Sequence, residues 1–363
     1  MNFIDEFRDK KSFLALRNLI FKESKTPINI MEICGGHTHS IMKYALPSLL
    51  PKELSFIHGP GCPVCVMPRN RIDVAIKLAS MPGVILCTLG DLLRVRGSEF
   101  SLLDLRAKGK DIRALYSPLE VLELAKQNPN KTLIFFAIGF ETTTPMSALL
   151  LKKLIEEDIK NVFLHINHVT VPAPIKAIMD DENVKIDAFL GPSHVSVITG
   201  YDIYKPLATR FKTPIAVSGF EPVDILESIL NLVRQVNQGS FEVYNQYSRA
   251  VSKQGNIKAK NLVKEYFKTC DFEFRGLGLV KEGGLELKEE FSAYDASKKF
   301  DCTVQSKDES KACICHKILR GLAKPYDCKV FAKACTPKNP IGSCMVSSEG
   351  ACAAYYKYSK VHA

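Results

Sequence analysis

Seven short apolar runs, each ended by glycine, proline or a polar turn, constrain this chain more than any other feature: INIMEI (28–33), LSFIHG (54–59), GVILCTL (83–89), TLIFFAIG (132–139), NVFLHIN (161–167), IDAFLG (186–191) and TPIAVSG (213–219). Runs that are apolar nearly throughout, rather than at alternate positions, suit strands covered on both faces. Segments between them, such as RIDVAIKLAS (71–80) and PVDILESILNLVRQV (222–236), carry helical spacing. Strand and helix in alternation predict parallel βα units and hence an α/β fold. An amphipathic helix is expected at about 3–22, ahead of the first run.

At 363 residues the chain is too long for one ordinary core. The expected division is an N-terminal helix over 1–23, two similar α/β domains over 24–120 and 121–238, and a C-terminal module over 239–363. The triplet GFE recurs at 139–141 and 219–221, each time after an apolar run, and is read as a trace of internal duplication. Beyond residue 239 the strand–helix rhythm fades, and seven of the twelve cysteines fall between 302 and 352.

The net charge of +10 is spread among acids, as in KKLIEEDIK (152–160), so no nucleic-acid partner is expected. The first twenty residues carry acids and lack the apolar core and cleavage site of a secretion signal. No apolar run approaches the roughly 20 residues that cross a bilayer. A cytoplasmic protein with no membrane association is therefore expected, in which twelve cysteines point to metal or redox chemistry rather than to a disulfide framework.

The chemically active residue types gather just after the apolar runs: CGGHTH (34–39), GPGCPVC (59–65), GD (90–91), GFETTTP (139–145), NHVTVP (167–172), GPSH (191–194) and GFEP (219–222). These are the carboxyl ends of the expected strands, the edge at which open parallel sheets bind ligands. Cys34, followed by two glycines and a helix start, is expected to favour the thiolate and to act as nucleophile or metal ligand, with His37 as its nearest polar helper. A small buried cysteine, as Cys87 in VILCTL is read, is the plain alternative. Cys62 and Cys65 form a C-P-V-C that can close a disulfide or hold one metal, and a redox dithiol is the favoured reading. Glu141, Thr142, Thr143, His194 and Glu221 are candidate pocket residues, weighed against duty in turns and helix caps.

In the tail, Cys328, Cys335, Cys344 and Cys352 are separated by six, eight and seven residues in Gly- and Pro-rich loops. Four thiolates suit a [4Fe–4S] cluster or zinc, and the spacing does not choose between them. Cys313 and Cys315, in C-I-C, are too close together to join the others on one cluster and are read as spare or redox-active thiols.

Taken together, CGGHTH, GPGCPVC, GFETTTP, GPSHVSVITG, RGLG (275–278) and the ending CTPKNPIGSCMVSSEGACAAYYKY resemble the HypD family of hydrogenase-maturation proteins, from about residue 24 onward. The resemblance implies two related α/β domains and a cluster-bearing C-terminal region. It also implies a scaffold on which the Fe(CN)2CO unit of [NiFe]-hydrogenase is assembled with a small HypC-type chaperone and a HypE-type cyanide donor. On that resemblance Cys34 holds the transferred iron, Cys62 and Cys65 are the dithiol near the cluster, and Cys328, Cys335, Cys344 and Cys352 are its four ligands. A monomer forming transient heteromers is expected, a redox-active scaffold rather than a multiple-turnover enzyme. A free-standing iron–sulfur thiol–disulfide oxidoreductase and a zinc-stabilised α/β binding protein are the rival classes.

Overall fold

A computed structural model describes residues 5–307 and 310–359. All seven apolar runs contain strands. In chain order the strands are β1 (Ile28–Glu32), β2 (Leu54–His58), β3 (Val84–Leu89), β4 (Ile112–Leu115), β5 (Thr132–Gly139), β6 (Val162–His168), β7 (Ala188–Pro192), β8 (Ile215–Ser218), β9 (Val243–Asn245), β10 (Phe267–Phe274) and β11 (Gly278–Leu287). The opening helix is split into a short 3-10 turn, Asp5–Arg8, and an α-helix, Lys10–Glu23, whose start is capped by the Asp9 carboxylate.

The strands sort into a five-stranded sheet of order β2-β1-β7-β8-β9, a four-stranded sheet of order β4-β3-β5-β6, and the hairpin β10-β11. Every neighbour in the two larger sheets is parallel. This cuts across the sequential division expected from the chain. One compact unit comprises residues 1–62, 174–256 and 312–363, and the other comprises 63–173 and 257–311. Local patterning marks which segments become strands, but partner choice depends on contacts distant in sequence.

The core of the first unit joins Ile28, Ile30 and Phe56 to Leu190, Ala216 and the long helix Pro222–Gln238 through Ile225, Ile229 and Leu232. That of the second joins Ile85, Leu133, Phe135 and Leu164 to Leu150, Leu151 and Leu154 of the helix Thr144–Glu156. Phe267, Leu285 and Leu287 of the hairpin close this core, so the stretch after residue 239 holds more regular structure than its sequence rhythm suggests. Cys87 lies fully buried there, as its plain reading holds.

Both sheets repeat one topology. Strand order reverses between β1 and β7 in the first unit and between β3 and β5 in the second. At such a reversal the loops leaving the two central strands diverge and open a crevice beyond their carboxyl ends. The GFE echo does not mark equivalent points of this repeat: it follows a central strand, β5, in one unit and an outer strand, β8, in the other. The loop that corresponds to GFETTTP is GPSH, after β7, which makes Glu141 and His194 topological counterparts.

At the tip of β5, Gly139 has φ +148°, and a β-carbon there would collide with the Thr143 hydroxyl. Gly139→Ala is expected to cost about 2 kcal/mol or more through backbone strain and that collision, read as a lower chemical-denaturation midpoint at unchanged slope.

Candidate functional site

The Cys34 loop leaves β1 at the reversal point of the first sheet. Cys34 itself is extended, at φ −156° and ψ 123°, and caps the helix Gly35–Lys43; its carbonyl accepts from the His37 and Thr38 N–H groups at 2.9 and 3.2 Å. Two glycines follow because nothing larger fits. A side chain at Gly35 would collide with Glu349 of the tail, and one at Gly36 would come within 2.6 Å of Phe220. The GPGC loop after β2 lies against the same turn, where a β-carbon on Gly61 would strike the Cys34 nitrogen and Gly35 N–H donates to the Gly61 carbonyl at 3.2 Å.

Sequence position alone favoured a Cys34 thiolate, and the structure corrects this. Burial, seconded by the negative charge of Glu349, pushes the Cys34 thiol up to about 12, while the Gly36 and His37 backbone groups pull only weakly the other way. The residue is partly accessible, so it is a protonated, reachable thiol that would ionise on meeting a cation.

His37 is fully buried. Its Nε2–H donates to the Ser218 and Gly219 carbonyls at 3.0 and 3.2 Å, and burial lowers its pKa to about 4, so the ring is neutral. Its Nδ1 has no protein partner. The ring packs against Phe220 at 4.7 Å between centroids, and His194 packs against the same Phe220 at 4.4 Å, its own pKa lowered by burial. Glu221 is taken up elsewhere: its carboxylate caps the helix Pro222–Gln238 and accepts from Arg8 at 2.5 and 2.7 Å. Cys62 and Cys65 are buried and disulfide-bonded.

Cys344, expected among the four cluster ligands, is disulfide-bonded to Cys315, while Cys328, Cys335 and Cys352 form no disulfide. Burial raises the Cys352 thiol well above its usual range, and the thiolates of Cys313, Cys335 and Cys328 raise it further, so these three stand within electrostatic reach. Cys335 Sγ accepts the Ile341 N–H at 3.3 Å. Among the described residues no group of three or more His, Cys, Asp or Glu side chains is already placed to hold a metal ion. In donor chemistry Cys328, Cys335 and Cys352 nonetheless suit one: they are buried sulfurs, and as thiolates they would repel in a way that a cationic iron centre would relieve.

The second unit has a different edge. Glu141 follows β5, its Oε1 accepting the Val171 N–H at 3.0 Å while Oε2 is buried without a partner. Burial lifts its carboxyl to about 7. Thr143 does turn duty instead, its hydroxyl donating to the Phe140 carbonyl at 3.2 Å. Thr142 is half-buried in the same turn. At the end of β6, His168 Nε2 lies 2.8 Å from the Ser147 hydroxyl, and burial holds the ring neutral, near 4.

Sequence reasoning missed Glu32, Thr38, His58, Phe220 and Glu349. The signal available for Glu32 and His58 was a polar residue inside each of two runs otherwise suited to burial on both faces.

These features define a parallel α/β protein with a thiol at a sheet reversal point and a cysteine-rich C-terminal region. Comparison with known proteins makes the class specific. The family model described as "HypD: Hydrogenase formation hypA family" matches residues 11–359. The chain is 49% identical to the hydrogenase maturation factor HypD of Azotobacter vinelandii, covering 99% of this chain and 97% of that one. It is 44% identical to HypD of Rhodobacter capsulatus over the whole of both chains, and 40% identical to HypD of Escherichia coli K12, covering 99% and 98%. The chain therefore belongs to the HypD family of hydrogenase maturation factors. No helix among the described residues is long and apolar enough to cross a membrane.

Because the folded state holds the Glu141 proton up to about pH 7 whereas the unfolded chain releases it near 4.5, stability falls as pH rises between those values. Glu141→Gln keeps an acceptor for Val171 but cannot ionise. It is expected to be neutral at pH 4.5 and more stable than the parent by up to about 3 kcal/mol above pH 7, as denaturation midpoints against pH would show.

Proposed function

We propose that this chain is the scaffold on which the Fe(CN)2CO unit of a [NiFe]-hydrogenase is assembled, with Cys34 as the protein anchor for the iron. The observation that carries the reading is the Cys34 turn: a reachable thiol at the reversal point of the first sheet, with the bare Nδ1 of buried His37 in the helix it caps. The iron is cargo, delivered to the thiol and later passed on. On binding it, Cys34 releases its proton, since the thiol is held protonated without a cation. The bare His37 Nδ1 is an acceptor for a hydrogen bond from an incoming ligand, and its ring orientation is fixed by the Ser218 and Gly219 carbonyls. Phe220 and His194 form an apolar and adaptable wall beside it. Thr143 and Glu221 are tied to turn and cap, and Glu141 and Thr142 are proposed to line a pocket of the second unit's own at its sheet's reversal point.

The same reading keeps Cys328, Cys335, Cys344 and Cys352 as the holders of a [4Fe–4S] cluster, which would supply one-electron redox chemistry and would need the Cys315–Cys344 bond reduced. Cys62 and Cys65 then serve as a two-electron store: reducing their disulfide takes up two electrons and two protons, and reoxidation returns them. The partners in the proposal are a small HypC-type chaperone, contributing a second hold on the iron, and a HypE-type cyanide donor. A cytoplasmic monomer that forms transient heteromers fits this role.

The test is anaerobic co-purification with the small chaperone, followed by iron analysis and infrared spectra in the cyanide and carbonyl stretching region. Cluster iron plus additional iron, with diatomic bands that vanish in Cys34→Ala, is the expected result. Bands that persist in Cys34→Ala, or that never occur, would leave the oxidoreductase reading ahead. For the cluster, Cys328→Ser and Cys344→Ser are each expected to lose most of the iron–sulfur absorbance, while Cys302→Ser keeps it.

A further inference from the structure

The first unit buries a carboxyl group whose role the Cys34 site described so far does not explain. Glu32, the last residue of β1, is 1% exposed; it pairs in register with His58, the last residue of β2, which is 3% exposed. A single oxygen, Glu32 Oε1, takes two donors. The Thr38 hydroxyl donates to it at 2.6 Å, and His58 Nδ1 makes a short hydrogen bond to the same atom. Burial raises the Glu32 pKa, and both of these bonds work against that rise. His58 packs edge-on against Tyr355 of the tail at 5.0 Å, and its Nε2 is buried without a partner.

The two donors belong to the two cysteine loops. Thr38 stands in the first turns of the helix that Cys34 caps, and His58 immediately precedes the GPGC loop. Backbone contacts repeat the link one layer higher. Gly59 N–H donates to the Glu32 carbonyl at 2.9 Å, Gly35 N–H donates to the Gly61 carbonyl at 3.2 Å, and Gly61 touches the Cys34 backbone so closely that a β-carbon is excluded. Cys62 follows Gly61 directly, so the disulfide-bonded loop and the Cys34 turn share this backbone contact.

We propose that Glu32, Thr38 and His58 are positioning residues that clasp the Cys34 loop to the Cys62 loop, so that oxidation or reduction of the Cys62/Cys65 pair changes the presentation of the Cys34 sulfur. With the clasp closed, the loops move as one body. Released from Glu32, each loop relaxes by itself and the redox state of one no longer reaches the other. The proposal rests on the reading of Cys34 as the working thiol, but its test uses no iron, no cyanide and no partner, so failure of the scaffold reading would show elsewhere.

The test measures the iodoacetamide alkylation rate of Cys34 in the full chain, by mass spectrometry of its peptide, in two states. In one, the Cys62–Cys65 bond is intact. In the other, a dithiol reductant has broken it, leaving two thiols as the reductant closes to its own disulfide, and has then been removed. In the parent protein the two rates are expected to differ by about fivefold or more, at the lower end of ordinary coupling between sites. The ratio should persist in Cys315→Ser/Cys344→Ser, which assigns it to the Cys62/Cys65 pair. It should fall to within about twofold of unity in Thr38→Val and Glu32→Leu, and survive in Thr38→Ser, which keeps the hydroxyl. A role limited to stability would lower the melting temperature and scale both rates together, leaving the ratio intact. Should Glu32→Leu fail to fold, the Thr38 pair carries the test, because it exchanges a hydroxyl for a methyl and then restores it. Equal rates in the parent, a ratio that survives Thr38→Val, or one lost equally in Thr38→Ser would overturn the proposal.

Discussion

A buried carboxylate oxygen shared between two donors is the interaction on which the site of this protein depends. Removing a carboxylate from water costs several kcal/mol, and the cost is met only where donors are already in place. Glu32 obtains both from the segments that need fixing, the Thr38 turn and the end of β2. Around it Gly61 lies against the Cys34 backbone and Gly35 N–H donates to the Gly61 carbonyl. A thiol held this way has its direction set before any ligand arrives, which is the condition for binding a demanding metal fragment without reorganising around it.

One topology, used twice, carries two chemistries. The reversal point of the first sheet presents a thiol and a bare imidazole nitrogen, both suited to a soft metal. In the second sheet the corresponding position presents a carboxyl that burial keeps protonated to about neutral pH. The shared architecture says where a ligand can lie; what it can be follows from a few side chains on the loops.

Much of this was legible in the residues. Continuous apolar runs gave seven strands because a strand covered on both faces has no polar side to interrupt it. The concentration of Cys, His and Glu after those runs falls at the carboxyl ends of the observed strands. What stayed hidden depended on contacts distant in sequence. Strand order was out of reach, since Ile30 does not announce that it pairs with both Phe56 and Ala188. The Cys315–Cys344 disulfide was hidden too, since a partner 29 residues away cannot be seen from spacing. The ionisation state of Cys34 was misjudged for a related reason: the helix start was visible, but the protein mass around it and the charge of Glu349 were not.

The interleaving of the two units has a consequence for synthesis. The chain passes from one unit to the other after residues 62, 173, 256 and 311. β1 carries Cys34 but finds its partner β7 only after more than a hundred further residues, and Tyr355, which packs on His58, belongs to the last helix described. The second unit has its four-stranded sheet complete by β6 and can condense while the tail is still being made. The first cannot, because it draws on β7, β8 and the segment from residue 312, so the Cys34 turn takes its final shape only after most of these residues have been made.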